Sequence, residues 1–161
     1  GFFVTALRYW TGSIIPGMAA HYTYNTLLVI MPIISFYQAH PSYAEIVFHG
    51  RDLTTQQREE LLLRSIENDP AFSTAFNELA WMYARQDRNL DQALELINEA
   101  LRQEPETPAY LDTKAEVLYR LGRFDEAIAI EEKLAAEHPE AQFYADQLAK
   151  FKRVRTEKRC K

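Results

Sequence analysis

Two stretches of this chain repeat one another, and their spacing limits the fold more than any other feature. AFNELAWMYARQDRNLDQALELINEALRQEPE is followed by AYLDTKAEVLYRLGRFDEAIAIEEKLAAEHPE. Ala93 aligns with Ala127, Ala100 with Leu134 and Pro105 with Pro139, each 34 residues apart. Ala80 to Ala115 and Pro70 to Pro105 are 35 apart, so the first unit carries one extra residue in its internal turn. A period of this length marks stacked supersecondary units, none of which buries its apolar face alone. Small alanines let two helices approach closely, while Leu, Ile, Tyr and Phe fill the space between them. Gly122 supplies the break between the helices of the second unit.

The pattern resembles the tetratricopeptide repeat. Phe76, Leu79, Ala80, Tyr83, Ala93 and Ala100 carry the likeness in the first unit. Leu111, Ala115, Leu118, Gly122, Phe124, Ala127 and Pro139 carry it in the second, and Lys114 and Glu131 depart from the usual apolar types. The reading is an all-α helical-hairpin array over 54–154, with full repeats at about 73–106 and 107–140. The flanking helix 54–69 fits the second helix of a degenerate repeat. The flanking helix 140–154 caps the stack with Phe143, Leu148 and Phe151 to bury. Residues 155–161 form a basic tail, either a solvated terminus or a contact for anionic lipid headgroups. The resemblance implies a protein or peptide partner on the concave face. By repeat register that face exposes Asn77, Trp81, Arg85, Asp112, Glu116, Tyr119 and Arg120. The basic and amide clamp of the repeats that bind chaperone tails is not reproduced.

The first part of the chain asks for a different solvent. Between Tyr9 and Ala44 there is no Asp, Glu, Lys or Arg, and Arg8 is the one charged residue before Glu45. Thr11-Gly12-Ser13 is turn chemistry, and Ser13 can cap a helix running to Tyr37. At about 1.5 Å per residue such a helix spans roughly 37 Å, enough for a bilayer core. Pro32 should kink that helix or end it early. Tyr9, Trp10 and Tyr37 stand where an aromatic belt would place them. Residues 1–37 are therefore expected in lipid, as a transmembrane helix segment truncated by the chain start. A helix buried in a soluble core is the alternative. Residues 38–53 read as a linker broken by Pro41 and Gly50, with His40 and His49 in solvent.

His21 and Asn25 share one face of the apolar helix. Polar groups there serve either as hydrogen-bond glue between helices or as part of an active site. With Arg8 and Thr11-Gly12-Ser13 ahead of them, they resemble the last conserved motif of the CPBP intramembrane proteases, bacterial relatives of the CAAX prenyl endopeptidases. The resemblance covers about residues 1–36. It implies a peptidase in which His21 and Asn25 hold the attacking water or stabilise the oxyanion. The family's other motifs, Glu-Glu-x-x-x-Arg and Phe-x-x-x-His, should precede His21. The matches at Glu59-Glu60-Leu61-Leu62-Leu63-Arg64 and at Phe36 to His40 come after it, in the wrong order and the wrong context. The chain is thus expected to be the C-terminal part of a longer membrane protease, without a complete active site of its own.

A net charge of -5 gives no ground for nucleic-acid binding. One cysteine, Cys160, leaves no internal disulfide framework and no Cys-rich metal site. The protease family has been described with and without a bound metal, so the parent's cofactor is open, and no ligand set for a metal stands in this chain. Three functions remain: part of a membrane-embedded peptidase with a protein-interaction domain, a non-catalytic membrane-anchored adaptor, or a soluble all-helical protein whose N-terminus is buried. The first two are integral membrane proteins, and Arg8 alone does not assign the side occupied by the repeats.

Overall fold

The computed structural model describes residues 30–49 and 52–159. Arg8, Thr11-Gly12-Ser13, His21, Asn25 and most of the expected Ser13–Tyr37 helix lie outside the described residues, as does Cys160. The described part is all-helical. Residues 30–39 form α1 as far as it is described. Pro41–His49 is α2, Thr55–Asn68 α3, Ser73–Arg85 α4, Leu90–Gln103 α5, Pro108–Arg120 α6, Phe124–Glu137 α7 and Gln142–Arg159 α8.

One turn recurs at every junction between units. Phe72 donates its N–H to Asp69 O at 3.1 Å, Thr107 to Glu104 O at 3.5 Å and Ala141 to His138 O at 3.0 Å. Each turn holds its proline, Pro70, Pro105 or Pro139, at the second position, where a fixed φ is an advantage. The recurrence makes α3 the second helix of a unit that precedes the two full repeats. It also makes α8 the first helix of a unit that follows them.

The turns inside the units solve one problem in two ways. In the second unit Gly122 takes φ 78°. Arg123 N–H then reaches Leu118 O at 2.9 Å and Gly122 N–H reaches Tyr119 O at 3.0 Å, closing α6 with a Schellman motif. In the first unit Asp87, 35 residues earlier, stands at the same place with φ 52°. Arg88 N–H reaches Tyr83 O at 3.2 Å and Asp87 N–H reaches Ala84 O at 3.1 Å. Asn89, at φ 50°, absorbs the extra residue expected there. Asp and Asn are among the few side chains that visit this region at modest cost.

Each full unit is a packed helix pair, α4 with α5 and α6 with α7, and α4 also packs on α6. Ala80, Ala93, Ala100, Ala115 and Ala127 have no exposed surface, as close helix crossings demand. Leu62, Leu79, Ile97 and Tyr83 fill the larger cluster, and Leu118, Ile128 and Phe151 the smaller one.

Three expectations need correction. Residues 38–53 are not a loose linker: Pro41 is the first residue of α2, where its missing N–H costs nothing, and α2 packs on α3 with Ile46 buried. The capping helix does not stop at 154 but runs to Arg159, so residues 155–159 of the basic stretch are helical. Within that helix Phe151 is buried and Leu148 half-buried, but Phe143 is 54% exposed. Past Pro32, α1 stays helical to residue 39. Among the described residues no helix is long and apolar enough to cross a membrane.

Candidate functional site

The face expected to meet a partner splits into an open half and a filled half. On α4, Asn77 and Trp81 are half-buried and Arg85 is exposed. The Arg85 guanidinium lies 5.7 Å from the Trp81 ring centroid. An indole beside a cation is the mixed apolar and polar surface that an extended peptide can use. Ser73, at the head of the same helix, donates to Glu104 and shares a hydrogen bond of 3.0 Å with Tyr110. These contacts lock the start of α4 to the turn before α6.

One unit later the corresponding positions are occupied from within the chain. Asp112, Glu116 and Arg120 stand 35 residues after Asn77, Trp81 and Arg85. Asp112 and Glu116 were expected in an open groove, but they are only 8% and 1% exposed because α8 lies against them. Glu116 accepts from Arg120 Nε at 2.8 Å and from Lys150 Nζ at 2.9 Å. Burial opposes its ionisation, but the hydrogen bonds from Lys150 and Arg120 outweigh that and hold its carboxyl below the ordinary value. Tyr119, also expected in the groove, stacks on Phe151 with centroids 4.4 Å apart, and Lys150 sits 5.0 Å from its ring centre. Further along α8, Lys152 pairs with Glu132 at 2.7 Å and Arg155 with Asp125 at 2.9 Å. The basic residues that read as a tail thus hold this helix onto α7.

Behind this network lies Glu131, which the sequence marked as a departure from pattern. It occupies the position of Ile97 in the first unit, a fully buried apolar site, and is itself 0% exposed. With both carboxyls ionised, neither oxygen of Glu131 nor Asp112 Oδ1 has a hydrogen-bond donor among the described residues. Burial, then the adjacent Asp112 charge, push the Glu131 carboxyl up to about 8. Burial also raises Asp112, against the pull of its hydrogen bond with Glu131 and of Lys150. Both carboxyls are raised by burial, so Glu131 and Asp112 face one another as a pair that favours holding one proton between them.

The two patterns set aside in the sequence have structural roles. Glu59 accepts from Tyr83 Oη at 2.7 Å and from both terminal nitrogens of Arg88, at 3.2 and 2.6 Å. The Arg88 hydrogen bonds hold it below the ordinary carboxylate range despite partial burial. Glu60 pairs with Arg64 on the exposed side of α3. His40, expected in solvent, stacks on Phe72 with centroids 4.1 Å apart, and its Nδ1 lies 3.7 Å from Asp69. Phe36 and Tyr43 meet the same Phe72 ring at 5.8 and 4.9 Å. This aromatic cluster seats the end of α1 against the start of α4. The remaining large side chains of α1, Ile30, Met31, Ile33 and Ile34, are exposed. Among the described residues no group of three or more His, Cys, Asp or Glu is arranged to hold a metal.

Residues 82–142 match the model of a tetratricopeptide repeat family. The match runs from the end of α4 through the whole second unit to the first residue of α8. Tetratricopeptide repeats suggest a protein–protein interaction domain, and such domains typically bind protein partners. No curated protein matches the chain. Nothing in the family match or in the described residues supports the protease resemblance of residues 1–36, and His21 and Asn25 lie outside the described part.

Proposed function

We propose that the chain is a protein-interaction module whose first full unit presents the docking face, carried next to an apolar segment that sits in a membrane. The observation that carries this reading is the contrast between equivalent positions. Asp112, Glu116 and Tyr119 are engaged by α8, whereas Trp81 and Arg85 on α4 contact one another and remain accessible. The occupant is an extended peptide segment of a partner, with an apolar or aromatic side chain against Trp81 and an acidic or carbonyl group toward Arg85. Lipid around residues 1–37 is supported by the charge-free run from Tyr9 to Ala44 and by the exposed apolar side chains of α1. A peptide library screened against the full chain and against Trp81→Ala tests the reading. Ligands that bind both forms equally would remove α4 as the docking face.

A second reading is kept by one sequence feature. Thr11-Gly12-Ser13 followed by His21 and Asn25 supports a role as the C-terminal part of an intramembrane peptidase, with the repeats recruiting substrate or partner. Changing His21 to Ala in a protein that also carries the upstream helices should abolish proteolysis while leaving folding intact. Undiminished turnover would reduce His21 to a packing residue.

A further inference from the structure

We propose that one proton shared between Asp112 and Glu131 holds the C-terminal helix α8 on the stack, making that helix a proton-controlled cap over the second unit. The inference starts from charge balance in a closed space. Glu131 on α7 is faced from α6 by Asp112 and Glu116 and from α8 by Lys150, with Tyr144 and Gln147 also on α8 beside Asp112. Arg120 of α6 completes the network through Glu116. Two cations, Lys150 and Arg120, then balance two carboxylates, Asp112 and Glu116. Among the described residues a third negative charge at Glu131 has no further cation to balance it, and it has no water-exposed surface. The equivalent site in the first unit holds Ile97, which carries no such charge.

The site also lies at the contact that secures α8. Lys150 bridges to Glu116, and Phe151, the next residue, has no exposed surface and stacks on Tyr119. Losing the proton from the acid pair sets Asp112 and Glu131 against one another at the base of this contact. Water reaches them only if α8 lifts. Helix α8 is the outermost described element at its end of the stack, joined to the rest through the Pro139 turn, so it can separate without opening the first unit.

Backbone amide exchange measured on the full chain at pH 5.5 and pH 9, beside Glu131→Gln at each pH, tests the proposal. Comparison at equal pH cancels the intrinsic pH dependence of exchange. At pH 5.5 the amides of α8 should exchange within about twofold of each other in the two proteins. At pH 9 those of the unaltered chain should exchange at least tenfold faster, a change on the order of 1.4 kcal/mol in the opening equilibrium. Amides of α4 and α5 should not differ at either pH. Asp112→Asn gives a second route, because its amide can donate to Glu131 without a shared proton. The pH response of α8 should then fall at least threefold. A ratio unchanged between the two pH values, an acceleration in α4 and α5 equal to that in α8, or an undiminished response in Asp112→Asn would each overturn the proposal.

Discussion

Replacing Glu131 with Leu should stabilise the folded chain, by an amount that grows with pH. In the native state burial, then the adjacent Asp112 charge, push the Glu131 carboxyl up to about 8, against about 4.5 for an ordinary glutamate. A carboxyl whose native pKa is raised contributes most favourably below its unfolded value, and that contribution is lost as pH rises to the native value. The loss is about 1.4 kcal/mol per pH unit across this window. At pH 7 it reaches roughly 3 kcal/mol. Leu removes this cost and restores the apolar character that Ile97 has in the first unit. It also deprives Asp112 of the Glu131 proton, a loss of about 1 kcal/mol. Asp112 keeps Lys150 and Gln147 nearby, which limits that loss. The net expectation is a gain of roughly 2 kcal/mol at pH 7, and little or no gain at pH 4.5. For a helical domain of about 100 residues, 2 kcal/mol raises the melting temperature by roughly 8–16 °C. Urea denaturation at pH 4.5, 6, 7 and 8, followed by circular dichroism, gives the difference directly. A gain of the same size at every pH would mean that packing, not ionisation, sets the cost of Glu131. A loss at pH 7 would mean that the carboxyl has a stabilising partner and that its burial is misjudged.

Other substitutions probe the turns and the cap. Gly122→Ala should cost about 1 kcal/mol in urea denaturation, since φ is 78° and nothing lies within 4 Å of the added Cβ, so only backbone strain acts. Asp87→Gly should move stability the other way by up to about 1 kcal/mol, because it relieves the same conformation in the first unit. A large loss there would assign the Asp87 side chain a role beyond the turn. Phe151→Ala should cost about 3–5 kcal/mol and expose α8 to proteolysis ahead of α4 and α5, as expected for a fully buried ring stacked on Tyr119. Simultaneous cleavage of all helices would refute the outer position of the cap.

The repeats were legible because their spacing depends on residues with few substitutes. Alanines at the crossings, Gly122 in a left-handed turn and prolines at the second turn position announce themselves locally. The start of α3 carried a further local signal, Thr54 and Gln57, which form a capping box that the sequence reading left unused. What was misread depends on contacts between elements. Pro41 looks the same in sequence whether it breaks a chain or begins a helix, and the burial of Ile46 decides it. Repeat register places Asp112, Glu116 and Tyr119 on the concave face but says nothing of α8 lying over them. The basic residues at the end looked free because their partners, Glu132 and Asp125, stand more than a turn away on another helix. Glu131 stands out in the sequence as a departure from pattern, but its importance follows from its burial beside Asp112 with no hydrogen-bond donor among the described residues.

Photo-crosslinking from two positions of the full chain tests the docking face most directly. A photoreactive side chain in place of Trp81 on α4 should capture the peptide ligand selected from the library. The same group in place of Arg102, exposed on α5 and paired with its helical neighbour Glu99, should not. Capture at 102 in place of 81, or equally at both, would contradict the assignment of the first unit's α4 as the surface that partners recognise.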